Sequence, residues 1–372
     1  MKKIICITLA ITAVLSLGVF LSSCGNDDTI TLNVYNWGEY MPLGEDGGYD
    51  ANKAFEEWYF ETYGQKIKVN YDTYTSNEEL RAKLEANAVS YDIIIPSDYM
   101  IDYFIEHDML EELNFDNIPN YKNITDDFKN LYYDPENKYS VPYTYGTVGI
   151  IYDANRVDPA DVTGWEIMWN EKYKDVGILQ FNNSRDAFGT AMYKLGIDVN
   201  TTDRAEWDRA YNELVLQNPL LKGRVMDEIY NMMETGEAAI GAYYAGDYFT
   251  MVDNQAENVD LQFYSPESTN VFVDAMCIPK GCRNKDAAEA YINFILSEEA
   301  GIEIAEYIYY ASPNSVVYNS EKYKEDMGED VMSVIYPENF NFGEAFNKYA
   351  FRNLDTETLD YLTSLWEKLI IE

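Results

Sequence analysis

The sequence predicts an α/β protein in two lobes, and three observations lead there. Its 372 residues exceed what a single hydrophobic core ordinarily organises. Strand and helix patterns alternate from Thr31 to Tyr99. Further on, YSVPYTYGTVGIIYDANRV reads as a strand that leaves one body and opens another. Taken in order, ITLNVYN alternates as a strand and stops at Asn36-Trp37-Gly38-Glu39-Tyr40. In DANKAFEEWYFETYG, Ala51, Ala54, Phe55, Trp58 and Thr62 recur at helical spacing, and Gly64 ends the run. KIKVNYDTY is a strand, and Ser76-Asn77-Glu78-Glu79 has the form of a capping box opening a helix through Ala88. YDIIIPSDY is continuously apolar, as strands buried on both faces of a parallel sheet are. Connections of this length between successive strands require parallel pairing through right-handed crossovers.

The second half repeats the logic. VGILQFNNSRDAFGTAMYKLG delivers polar groups from a strand into a helix, and Asp208 to Val215 and Asp227 to Glu237 carry helical periodicity. AAIGAYYAGDY and NVFVDAMCIP read as short strands ending in aromatics and an acid. Helices dominate from Lys285 to Tyr309, before the turn-rich YYASPNS.

Residues 1–23 read as an export signal, with Lys2 and Lys3 ahead of the apolar run Ile4 to Leu21. A plain transmembrane anchor is the alternative, since about 18 apolar residues just span a bilayer. Leu21-Ser22-Ser23-Cys24 is similar to the lipobox of bacterial lipoproteins, which implies lipidation of Cys24, a linker over 24–30 and stable attachment to a membrane surface. The formal net charge is −38, and loss of the signal removes two lysines and no acid. Such acidity argues against nucleic acid, whose binding relies on Lys and Arg, and a negative field raises the encounter rate of a cationic ligand. Cys277 and Cys282, in CIPKGC, are either a disulfide, allowed outside the cell, or free thiols with Cys277 packed as a small hydrophobe. The single histidine, His107, has no second soft ligand nearby, so no metal site is expected.

No phosphate loop, dinucleotide fingerprint, zinc-protease helix or nucleophile elbow is present. Paired carboxylates of the glycosidase kind stay open, yet 65 acids make that condition uninformative. In sheets of this class ligands sit beyond the carboxyl ends of the strands. Those ends bring Trp37, Glu39, Tyr40, Ser97, Asp98, Tyr99, Asn183, Asp186, Tyr244, Asp247, Phe272, Asp274 and Tyr310, with Arg185 the one prominent base. Rings attract ammonium groups and pack on methylenes, while carboxylates accept charged N–H donors. The pattern asks for an amine. The competing reading is packing, since aromatics are 15% of the residues and Trp37, Tyr40 and Asp274 could cap core elements.

From about Thr31 to beyond Asn314, the segments YNWGEYMP, YDIIIPSDYMID, YSVPYTYGTVGI, NNSRDAFGTAMYKLG, VFVDAMCIPKG and YYASPNS occur in an order and spacing that resembles the spermidine/putrescine-binding proteins, receptors of polyamine ABC importers. The resemblance implies a periplasmic-binding-protein-like fold of type II: lobe 1 over 31–142 plus 275–318, lobe 2 over 143–274 plus 319–372, and a hinge between. It implies a non-enzymatic, extracytoplasmic receptor without cofactor that passes putrescine or spermidine to permease subunits and their ATPase. Carried over by position, Trp37 and Tyr40 form one aromatic wall, Ser97 and Tyr99 a second contact loop, and Tyr244, Phe272 and Tyr310 further rings. Asp186 and Asp274 hold amines, and Glu39 and Asp98 are additional candidates. Tyr244 and Phe272 stand where the family usually has tryptophan, and Asn183 where it often has aspartate. The late glutamine of the family has no counterpart in NKYAFRNLD. The rival readings are a receptor of this fold for an anion, a sugar or a thiamine-like cation, and a carbohydrate-active enzyme.

Overall fold

The computed structural model describes residues 29–86, 90–337 and 341–371. The expected signal, Cys24, most of the linker and the predicted helix end at Ala88 lie outside those residues. The strands are β1 (Ile30–Trp37), β2 (Ile67–Tyr74), β3 (Ile93–Ile94), β4 (Ser140–Asp153), β5 (Ile178–Phe181), β6 (Leu221–Val225), β7 (Ile240–Tyr244), β8 (Leu261–Tyr264) and β9 (Val271–Cys277). The first helices are α1 (Ala51–Tyr63), α2 (Asn77–Glu85), α3 (Asp98–Glu106), α4 (Ser184–Leu195), α5 (Arg204–Gln217), α6 (Glu228–Glu234) and α7 (Ala245–Asn254). Then follow α8 (Lys285–Ile295), α9 (Glu298–Ile308), α10 (Ser315–Tyr318), α11 (Glu321–Ile335), α12 (Phe342–Tyr349) and α13 (Thr356–Ile371).

The strands follow one hydrogen-bonded path, β2-β1-β3-β9-β4-β7-β5-β6, with β8 beside β4. β1 pairs in parallel with β2 and β3, as the crossover argument requires, whereas β9 runs antiparallel to β3 and β4. The result is a mixed α/β fold. β3 is shorter than the apolar run predicts. It stops because the Ile95 carbonyl is taken by Trp37 Nε1 at 2.9 Å and Tyr74 Oη at 2.7 Å instead of a neighbouring strand. Helix α2 is capped as expected, Ser76 Oγ accepting from Glu79 N at 3.1 Å. The return arm lands one residue early, with Glu79 Oε2 accepting from Thr75 N at 3.0 Å.

Two large cores flank the β4 crossing: Tyr143 packs with Leu32, Ile94 and Ile292, while Val148 packs with Phe181, Trp207 and Leu362. The boundaries differ from the expected lobes in three places. Tyr143, expected in lobe 2, packs in the first core. Val271, Phe272 and Val273 already belong to the first core, because β9 pairs with β4 from Val271↔Thr147 onward. Residues 319–372 are shared. Phe342 and Phe346 of α12 join the first core, Leu362, Leu365 and Leu369 of α13 the second, and Tyr323 and Met327 of α11 a third, smaller cluster with Phe249 and Ile302. Segment 350–355 is therefore a further crossing between the cores, tied by Tyr132 Oη donating to Phe351 O at 2.9 Å.

Cys277 and Cys282 are free thiols, the first buried and the second donating to Asp92 Oδ1 at 3.2 Å. Among the described residues no helix is long and apolar enough to cross a membrane, and no His, Cys, Asp and Glu groups cluster in a way that could hold a metal ion.

Candidate functional site

Between the two cores lies a cleft with about 750 Å³ of empty space, its solvent-open part included. Trp37 ends β1 and Tyr40 follows it, Ser97 stands at the N-cap of α3 ahead of Tyr99, and Asn183 and Asp186 open α4 after β5. Tyr244 ends β7, Phe272 and Asp274 lie on β9, and Tyr310 follows α9. All ten of these predicted residues line the one cleft. Strands from both cores end on it, as the rule for such sheets anticipates.

A path of contacts joins the two acids the sequence singled out. Tyr244 Oη donates to Asp186 Oδ2 at 2.9 Å. The Tyr244 ring stands edge-on to Phe272 with centroids 5.5 Å apart, Phe272 to Tyr310 at 6.3 Å, and Tyr310 to Tyr40 at 4.9 Å. Tyr40 Oη donates to Asp274 Oδ2 at 2.8 Å. Asp274 is 4% exposed, and its Oδ1 has no hydrogen-bond partner. Gly246 permits this packing, since a Cβ there would lie 2.3 Å from the Tyr310 ring.

Among the described residues six carboxylates line the cleft, Glu78, Asp98, Asp186, Asp227, Asp247 and Asp274, and no lysine or arginine does. Burial pushes Asp274, Asp98 and Asp247 up to about 7 and Asp186 up to about 6. Their hydrogen bonds pull the other way: Ser97 and Tyr40 support the charge of Asp274, Asn183 and Tyr244 that of Asp186. An acidic, ring-walled and base-free cavity is suited to a cation.

The predicted residues do not all play one part. Asp98 lines the cleft, yet its Oδ2 accepts from Val273 N at 3.0 Å and its Oδ1 from Tyr99 N at 2.6 Å, so it fastens α3 to β9. Asn183 is the N-cap of α4: its Oδ1 accepts from Asp186 N and its Nδ2 donates to Asp186 Oδ2, both at 2.8 Å. Its amide thus holds the acid in place. Glu39 is the departure. It does not line the cleft, because its backbone adopts φ +50° and leaves the side chain exposed. Arg185 also turns away, its guanidinium bonding Val199 O and Asn200 Oδ1 at 3.3 Å and lying 4.4 Å from the Phe351 ring.

Sequence reasoning passed over Glu78, Asp227, Asn270 and Phe351, which also line the cleft. Glu78 accepts from Tyr99 Oη at 3.1 Å, and its place in a capping box hid it. Asn270 was legible from alternation with Phe272 and Asp274. Phe351 belongs to the late crossing between the cores, which no local pattern announces.

The family described as bacterial extracellular solute-binding protein matches residues 51–328. The chain is 34% identical over 301 residues to the spermidine/putrescine-binding periplasmic protein of Escherichia coli K12, covering 80% of this chain and 82% of that protein. It is 28% identical over 361 residues to a putrescine-binding periplasmic protein of Pseudomonas aeruginosa, covering 92% of each. Among solved structures, a putative spermidine/putrescine ABC transporter from Listeria monocytogenes is similar at TM-score 0.79 and 29% identity, over 92% of this chain and 99% of that one. A substrate-binding protein of a spermidine/putrescine ABC transporter from Streptococcus pneumoniae is similar at TM-score 0.71 and 31% identity, over 92% and 99%. With its mixed α/β architecture and its cleft between two cores, the chain belongs to the bacterial extracellular solute-binding proteins, and within them to the spermidine/putrescine-binding proteins, which are non-enzymatic transport components.

Proposed function

We propose that the cleft captures putrescine or spermidine and that the protein hands it to the permease of an ABC importer. The observation that carries this reading is Asp274: a buried carboxylate with one oxygen held by Tyr40 and the other without a partner, in a cavity lined by acids and rings and by no base. One ammonium group of the ligand pairs with Asp274 Oδ1 and another with Asp186, while the methylenes run along Tyr244, Phe272, Tyr310 and Trp37. A cation over a desolvated ring contributes about 1–2 kcal/mol, and a buried charge-assisted hydrogen bond adds direction.

The walls come from both cores, so the contact set is complete only when the halves meet about β4 and β9. Ligand therefore shifts the population towards the closed form by hinge motion. We further assign a lipid on Cys24 as the anchor that keeps the receptor at the outer face of the cell membrane, beside its permease.

Isothermal titration calorimetry with putrescine, spermidine, an amino-acid panel and oligosaccharides tests the reading. Tight binding of a polyamine and none of the sugars is expected. Heat with sugars alone would refute it. Mass spectrometry of the membrane-bound protein tests the anchor, which requires a diacylglyceryl adduct on Cys24.

A further inference from the structure

Asn270 stands just before β9, where its carbonyl oxygen accepts from Val148 N at 3.1 Å and continues the ladder beyond Val271↔Thr147. Side chains alternate across a strand, and the cleft follows that alternation. Asn270, Phe272 and Asp274 line it, Phe272 while bordering the first core, whereas Val271, Val273 and Ala275 pack in that core and do not reach the cleft. Asn270 is 5% exposed, and its Oδ1 finds no hydrogen-bond partner. A buried amide oxygen without a donor is rare in native proteins and asks for an explanation. The other unpartnered oxygen of this row is Asp274 Oδ1. Two bare acceptors thus flank Phe272 on one face of one strand.

We propose that Asn270 is a ligand-binding residue: its Oδ1 accepts an N–H from an amine of the ligand whose ammonium group elsewhere is held by Asp274, and the row Asn270, Phe272, Asp274 selects a triamine of spermidine length over putrescine. The inference rests on the polyamine reading above and adds the length of the ligand. At the rise of a strand, the backbone positions of Asn270 and Asp274 are roughly 13 Å apart. Extended putrescine covers only about half of that span, and extended spermidine most of it. A neutral acceptor at the far end lets an amine bind there without adding another buried charge to an acidic cavity.

The test is calorimetry of spermidine and putrescine with the unaltered protein, Asn270→Leu and Asn270→Asp. In Asn270→Leu, spermidine affinity is expected to fall about tenfold or more, the worth of one hydrogen bond from a charged donor, with putrescine held within about twofold. Asn270→Asp is expected to widen the preference for spermidine. Equal change for both ligands, or none for either, overturns the inference while leaving polyamine binding intact. Failure of the unaltered protein to bind any polyamine refutes the broader reading instead. If Asn270→Leu loses its cooperative thermal transition, the near-isosteric Asn270→Asp decides alone, and an unchanged ratio of the two affinities overturns the inference.

Discussion

At Asp274 and Asp186 the same residue type is prepared in two ways. Asp186 is held by Asn183 and Tyr244 on one oxygen, while Asp274 offers an oxygen with no partner. Removing the second leaves a ligand ammonium group buried without its counter-charge, so Asp274→Ala should weaken polyamine binding by about 2 kcal/mol or more. Unchanged affinity by calorimetry would show that the amine lies elsewhere. Asn183 acts first on the fold. Asn183→Ala removes the N-cap of α4 and should lower stability by about 1 kcal/mol, read as a shift in the urea midpoint at constant slope. Asp186 was legible in the sequence because strand ends in this fold class face the ligand, whereas Asp274 lies in the middle of β9, paired with Thr144 of β4, and not at a strand end as its segment suggested. What a linear pattern could not supply was the direction of each side chain. Glu39 shows the limit: it sits at the right strand end, but one residue with positive φ turns it out of the cleft.

Helix α7 and the strand pair β4 and β9 fix the geometry of the rings. Tyr310 lies against the first turn of α7 because Gly246 has no Cβ, and the same ring contacts Tyr40 and Phe272. Gly246→Ala should displace it and cost about 1–3 kcal/mol in stability through overpacking, with a matching loss of polyamine affinity. A variant as stable as the parent by thermal denaturation would mean that the ring has room to retreat. At this scale β1, β2, α1, α2 and the strand-to-helix turn at Asn183 were readable from periodicity and caps, since those signals are local. The short extent of β3 and the place of α12 were not. β3 is cut short by the side-chain donors Trp37 and Tyr74, and α12 owes its place to Phe342 and Phe346 packing on a core built far away in sequence.

The whole molecule gathers acids, and its response to pH follows. Burial raises Asp98, Asp247 and Asp274 to about 7 and Asp186 to about 6, against about 4 for an exposed aspartate. Between about pH 4 and 7 the folded chain thus keeps protons that the unfolded chain has released, so the ligand-free protein should lose stability as pH rises through that window. An ammonium ligand favours the ionised carboxylates. Binding should therefore release protons near pH 6.5 and weaken as the pH falls towards about 5. Titrations in two buffers of different ionisation enthalpy check this, and identical heats would contradict it. The crossings of β4, β9 and segment 350–355 carry another consequence. The first core draws on both Leu32 and Ile308, with nearly all of the second core encoded between them. A growing polypeptide cannot finish that core until Phe346 of α12 has been made, and assembly from such distant parts is slow. A chain whose first core is still unfinished can be threaded through an opening too narrow for the folded protein.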